Sequence, residues 1–158
     1  MQDVPRAEAM DARKGVGSPT RPDARAIRTL KGMSRMPMTD ADLDAWSVAY
    51  IEGVQDPVRF NESHPNWWAV ERFMNSETNG DDIWRAILDI LARSPPDEVL
   101  AVLAAGPLED LIHYRGDAFI DRIERHARQD PAFRTLLGGV WQSGSDEVWA
   151  RVERACAG

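Results

Sequence analysis

Three residues in the second half of the chain have types and spacing that could do chemistry: Glu109, His113 and Asp117. Glu109 and His113 are four residues apart, so on a helix they share one face, and Asp117 follows directly after Gly116. Two carboxylates beside an imidazole could bind a metal ion or orient the histidine as a general base. The sequence lacks HExxH and CxxC patterns, so a structural histidine at a helix end is the favoured interpretation. The alternative is a small-ligand or metal-dependent enzyme with its site around these residues.

The sequence contains no stronger catalytic pattern. Cys156 is the only cysteine, which excludes an internal disulfide and a multi-cysteine zinc site, and no histidine lies near it in sequence. Ser143, Gly144 and Ser145 have the composition of a turn and a helix cap rather than of a nucleophile elbow. There is no Walker loop and no GxGxxG motif. We therefore assign no catalytic residue, no metal and no cofactor.

The chain is rich in tryptophan, with six residues of this type. Trp67 and Trp68 are adjacent, so on a helix their side chains diverge by about 100° and cannot both point into one small core. Exposed tryptophan is enriched at binding hot spots, which makes both residues candidates for partner contacts. The alternative is packing at the edge of the core.

Acidic residues dominate the chain after its first 37 residues. The formal net charge is −7, and residues 38–158 hold 22 Asp and Glu against 11 Arg, whereas residues 1–37 have a basic excess. An acidic body repels phosphate backbones, so nucleic acid is a disfavoured partner for residues 38–158 and a basic protein fits better. Asp81 and Asp82 are candidate contacts for such a partner. The alternative role of these two carboxylates is to complement a helix dipole and to keep the protein soluble.

Helix signals follow one another from Thr39 onward. Thr39 with Asp42, the pair Asp130-Pro131, and Ser145 each have the pattern of a helix start. The run Val99–Ala105 is apolar on every side, which predicts a central, buried helix.

Glycines and prolines predict where these helices are interrupted. Gly106 is expected to end one helix and Pro107 to open the next, while Gly116 is expected to separate two further helices. No stretch alternates as a strand would. We predict an all-α fold of about eight short helices in a single domain over residues 38–158. The helices form either an irregular bundle or stacked helical hairpins resembling HEAT units.

Residues 1–37 are predicted to be a disordered basic tail, with a short helix near Asp23–Leu30. The tail is rich in proline and glycine and poor in large apolar residues. An alternative is that translation begins at Met33, Met36 or Met38, which would leave this segment upstream of the native start. The longest apolar run has seven residues, far short of the about 20 that a membrane span needs, and no signal peptide is recognisable. We therefore expect a cytoplasmic protein without a membrane segment.

Three stretches, Leu103–Leu111, Ile120–Glu124 and Asp130–Trp141, resemble a bacterial family of small helical proteins known only as a domain of unknown function. The resemblance covers about residues 40–142, and its most distinctive parts are a Gly-Pro-Leu-Glu-Asp turn and a Leu-Gly-Gly-Val-Trp end. It implies a bacterial origin and a helical domain, and it carries no activity, cofactor or catalytic residue. Within it, Arg134 and Trp141 are candidate binding residues, through an arginine–carboxylate or a tryptophan packing contact.

Taken together, these features favour a non-enzymatic helical module that binds another protein. An immunity or antitoxin-like role, in which the acidic body neutralises a basic partner, is one concrete form of this hypothesis. The sequence predicts neither the identity of the partner nor an oligomeric state.

Overall fold

The described residues of the computed structural model, 36–158, contain helices and no strand. The helices of this part of the chain are α1 (Asp40–Gln55), α2 (Trp68–Met74), α3 (Gly80–Ala92), α4 (Asp97–Leu103), a π-helical turn (Ala104–Leu108), α5 (Glu109–Gln129), α6 (Pro131–Leu137) and α7 (Asp146–Ala157). The all-α prediction is confirmed. Apart from residues 36 and 37, the expected N-terminal tail and its short helix lie outside the described residues. Within residues 36–158, no helix has the length and apolarity required to cross a membrane.

Three helices begin at the caps that the sequence predicts. The Thr39 hydroxyl accepts the N–H of Asp42, the Asp130 carboxylate accepts the N–H of Ala132, and the Ser145 hydroxyl accepts the N–H of Val148. Each cap satisfies a backbone donor that the first turn of a helix leaves free. These local signals therefore fix the starts of α1, α6 and α7.

The predicted break at Gly106 and Pro107 is wrong, because the chain passes from α4 to α5 through the π-helical turn without leaving the helical path. Pro107 lies inside this turn and has no N–H to donate. The Glu109 N–H reaches back to the carbonyl of Ala104, five residues earlier. This wider turn accommodates the proline without ending the helix.

The predicted interruption at Gly116 lies one residue from a kink at which two helical stretches meet. Helix α5 continues through this glycine and is kinked one residue earlier, at Arg115, whose φ is −138°. Gly116 is buried against α7, and a Cβ at this position would lie 2.8 Å from Cγ1 of Val148. The glycine beside the kink therefore also allows α5 and α7 to approach closely.

The helices pack as an irregular bundle rather than as stacked hairpins. Helix α5 packs against α6 and α7, α1 packs against α3 and α4, and α3 and α4 both contact α6. In a helical repeat each unit contacts only its neighbours in sequence, which these cross-contacts violate. The core around Trp46, Ile87 and Phe133 is fully buried. It lies within one compact unit that spans residues 37–158.

Helix α4 is not the central, fully buried helix that its composition predicts. Val99 and Leu103 are buried, whereas Ala101, Val102 and Ala105 are exposed. The helix is short and lies at the edge of the bundle, so only the face toward α1 and α6 is covered. An apolar helix face is thus left open to solvent.

Candidate functional site

An apolar groove lies between α1, α2, α4 and the π-helical turn, with a volume of about 450 Å³. Its lining consists mostly of aliphatic and aromatic side chains, with two carboxylates. The lining residues are Tyr50, Val54, Phe60, Trp67, Val70, Phe73, Met74, Glu98, Val102, Gly106, Pro107 and Asp110. A concave apolar site with a few polar groups is the usual form of a binding site in proteins.

The segment between α1 and α2 positions the aromatic wall of this groove. The Asp56 carboxylate accepts the N–H of Val58 and lies 3.1 Å from Nε2 of His64. The Val58 N–H and then His64 hold the pKa of Asp56 below its usual value. Phe60 packs edge-to-face against both His64 and Trp67, with ring centroids 5.0 and 5.4 Å apart. The segment is thereby held as a folded unit that presents Phe60 and Trp67 to the groove.

Helix α1 shapes the same wall through a glycine. Gly53 is buried, and a Cβ built on it would lie 2.4 Å from two ring carbons of Phe60. Only a residue without a side chain lets the Phe60 ring lie directly on the helix backbone.

Tyr50 and Phe73 form the floor of the groove. Both are buried, and their rings meet edge-to-face with centroids 5.4 Å apart. The Tyr50 hydroxyl has no hydrogen-bond partner among the described residues. Burial raises the pKa of Tyr50, so the hydroxyl stays protonated.

The rim of the groove exposes large apolar side chains beside carboxylates. Met74 is 68 % exposed and Val102 is 44 % exposed. Glu98 lies in the first turn of α4 and Asp110 in the first turn of α5, and neither forms an ion pair within residues 36–158. The rim therefore combines exposed apolar surface with negative charge that no residue of the described range 36–158 neutralises.

A second cavity of about 510 Å³ extends the groove toward the kink in α5. The two cavities share Phe73, Met74, Pro107 and Asp110, so together they form one continuous surface. The far end contains the exposed Tyr114 and the Arg115 guanidinium. Arg115 donates to the carbonyl oxygens of Thr78 (2.9 Å) and Ser76 (3.2 Å), which ties the kink to the segment between α2 and α3.

The residues Glu109, His113 and Asp117 do not all line one cavity. His113 and Asp117 line a separate cavity of about 520 Å³ at the N-terminal end of α3, and Glu109 is not part of its lining. The kink at Arg115 lies between the histidine and Asp117. Within residues 36–158, no group of three or more His, Cys, Asp or Glu side chains is arranged to hold a metal ion.

The remaining binding candidates, three tryptophans and one arginine, do not lie together. Trp67 lies in the groove wall, whereas Trp68 is outside it. The guanidinium carbon of Arg72 lies 5.7 Å from the centroid of the Trp68 ring. Trp141 is 76 % exposed. Arg134 is partly buried, and its Nε has no hydrogen-bond partner among the described residues. Of these candidates, the structure places only Trp67 in the groove.

The two acidic candidates at the start of α3 have structural partners. Asp81 forms an ion pair with Arg122 on α5. Asp82 is buried, and its carboxylate accepts the N–H of Met38 and lies 3.4 Å from Nη1 of Arg85. The expectation that Asp82 belongs to an acidic surface is wrong, because its carboxylate anchors the chain just before α1 instead.

Comparison with protein families gives one match, to a family of unknown function, DUF6869, over residues 57–158. The chain belongs to this family. The match confirms the resemblance to an uncharacterised family that the Gly-Pro-Leu-Glu-Asp turn indicates. Neither the curated proteins nor the solved structures include a match. The DUF6869 region begins after α1, so it contains most of the groove lining, whereas Tyr50 and Val54 lie before it.

The groove of this DUF6869 protein was only partly predictable from sequence. The Trp67-Trp68 pair singles out Trp67, whereas the sequence does not single out Phe60, Met74, Glu98 or Asp110 as binding residues. The sequence signal for Val102 is the apolar run that contains it. A short helix that is apolar on every side leaves apolar side chains exposed when it lies at the edge of a bundle. The remaining residues come together only through the packing of α1, α2 and α4, which no local pattern encodes.

Proposed function

We propose that this DUF6869 protein is a non-enzymatic interaction module that docks a segment of another protein in the groove between α1, α2 and α4. The observation that carries the proposal is the groove itself, where the exposed side chains of Met74 and Val102 adjoin buried aromatic rings. Contiguous exposed apolar surface rimmed by polar groups is typical of interaction sites. Trp67 supplies the kind of rigid aromatic wall that is enriched in binding hot spots.

The charge of the domain favours a basic partner. Residues 38–158 carry 22 acidic residues against 11 arginines, and Glu98 and Asp110 bring two of these carboxylates to the groove. Complementary charge accelerates encounter and suppresses wrong partners. An immunity or antitoxin-like role in the cytoplasm, neutralising a basic protein, is the concrete form of the proposal.

Gly106 offers a direct test. It lines the groove, and a Cβ built on it meets no other atom within 4 Å, so a larger side chain there fills the groove without displacing the core. Gly106→Leu is the blocking variant. Gly138→Leu is the matched control, because Gly138 is exposed at the end of α6 and outside the groove, and its Cβ would make only ordinary contacts.

The measurement is quantitative affinity capture from a lysate of the source organism, with all three proteins checked for equal helicity by circular dichroism. We expect wild type and Gly138→Leu to retain the same protein and Gly106→Leu to lose it. Equal retention by all three proteins, or no protein retained above the bare resin, would contradict the proposal.

A second candidate function is small-ligand binding in the cavity that His113 and Asp117 line. Its volume of about 520 Å³ falls within the range of small-molecule sites. If so, some polar metabolites of a library should change the NMR chemical shifts of residues that line this cavity. His113→Ala should abolish those changes. Metabolite binding that His113→Ala leaves intact would contradict this function.

A further inference from the structure

We infer that the segment docked in the groove is an amphipathic α-helix whose polar edge carries lysine or arginine. This inference rests on the proposed function and specifies the partner that the same groove accepts. Two properties of the lining carry it: the scarcity of groups that could pair a peptide backbone, and the sign of the charge on the rim.

The apolar lining of the groove offers few partners to the backbone of an extended peptide. An extended segment exposes backbone N–H and C=O groups that require partners, and a buried polar group left unpaired is costly. The side-chain polar groups of the groove are the carboxylates of Glu98 and Asp110, the Trp67 indole N–H and the buried Tyr50 hydroxyl. No strand edge exists within residues 36–158 to which a peptide could add.

A helix has no such requirement. Its backbone groups are paired internally, so it can place an apolar face against aliphatic and aromatic walls. The exposed Met74 and Val102 and the wall residue Trp67 provide that contact surface. Helix docking into an apolar groove therefore covers the exposed side chains without leaving peptide groups unpaired.

The rim selects the charge of this helix. An ionised carboxylate only accepts hydrogen bonds, so Glu98 and Asp110 require donors, and ammonium or guanidinium groups are the strongest. The only cation of the continuous surface, within the described residues, is Arg115, which already donates to two backbone carbonyls. A helix with acidic residues at its polar edge would be repelled.

The probes are two synthetic peptides of about 18 residues, long enough to form a helix when bound. Both have leucine at positions i, i+3, i+4 and i+7, and their remaining positions are lysine in one peptide and glutamate in the other. Binding to the full chain is measured by fluorescence anisotropy at two salt concentrations. The variants are Gly106→Leu, which fills the groove, and the double substitution Glu98→Gln with Asp110→Asn, which keeps its shape and removes its charge.

We expect the lysine peptide to bind wild type at least about tenfold more tightly than the glutamate peptide does. The charge-neutralised variant should bind it about threefold to tenfold more weakly and with a smaller salt dependence. Gly106→Leu should abolish the binding.

Each contrary outcome has its own meaning. Equal binding of both peptides, or an affinity unchanged in the charge-neutralised variant, overturns the inference while leaving a groove-dependent interaction intact. Binding that persists in Gly106→Leu shows attraction to the acidic surface at large and overturns both the inference and the use of this groove. Absence of binding by either peptide overturns the helical occupant, and affinity capture with Gly106→Leu then decides the proposed function separately.

Discussion

Replacing Gly53 with alanine should destabilise the domain, although alanine normally stabilises a helix. Glycine in a helix interior costs roughly 0.5–1 kcal/mol relative to alanine. The new Cβ, however, would lie 2.4 Å from two ring carbons of Phe60, against an ordinary contact distance of about 3.5–4.0 Å. The ring must therefore move by about 1 Å, and such overpacking costs typically about 1–3 kcal/mol. The balance is a net loss centred on about 1 kcal/mol, within limits of about 0 and 2.5 kcal/mol.

Gly106→Ala is the matched comparison for this experiment. Gly106 also lies on a helical path, but its new Cβ would meet nothing within 4 Å, so this variant should be as stable as wild type or slightly more stable. The assay is urea unfolding followed by tryptophan fluorescence, with the free energy of unfolding compared among the three proteins. If Gly53→Ala proves as stable as Gly106→Ala, the close packing of Phe60 on α1 is wrong, and with it the account of the groove wall.

Three further predictions concern the caps and ion pairs. Arg151→Met should lower the free energy of unfolding slightly, because Arg151 contacts both oxygens of Glu124 (2.9 and 2.6 Å) on a partly exposed surface; urea unfolding measures the loss. Arg151 also lowers the pKa of Glu124, so this contribution is present above about pH 4.5 and is lost as the pH falls through the lowered pKa. In acid titrations the gap between wild type and Arg151→Met should therefore shrink below that pH, and a constant gap would contradict the ion pair. Asp130→Ala should cost about 1 kcal/mol through the lost cap on Ala132, visible as a lower thermal midpoint, whereas Asp130→Asn should keep most of the stability.

Local sequence signals predicted the fold class and several helix starts. Thr39, Asp130 and Ser145 cap helices because a side-chain oxygen next to a free backbone N–H is a short-range interaction that the sequence alone specifies. The same local reasoning failed at Gly106, where a wider helical turn around Pro107 keeps the chain on a helical path. At Gly116 it came within one residue of the kink at Arg115.

The candidate site was less predictable than the fold. The sequence groups Glu109, His113 and Asp117 by their spacing, whereas in the fold only His113 and Asp117 line the same cavity. Asp81 lies at the surface and pairs with Arg122, whereas the carboxylate of Asp82 is buried beside Arg85. The groove is made from four separate parts of the chain, so its residues carry no common spacing in sequence.

The most direct test of the central claim is photo-cross-linking from the groove. A benzophenone-bearing amino acid is placed at Val102, on the exposed rim, and in a control protein at Thr135, on the exposed side of α6. We predict that the Val102 protein cross-links to a partner through a peptide with helically spaced apolar residues and adjacent lysine or arginine, and that the Thr135 protein does not. Equal cross-linking of the same partner from both positions, or none from Val102, would contradict the assignment of this groove as the docking site.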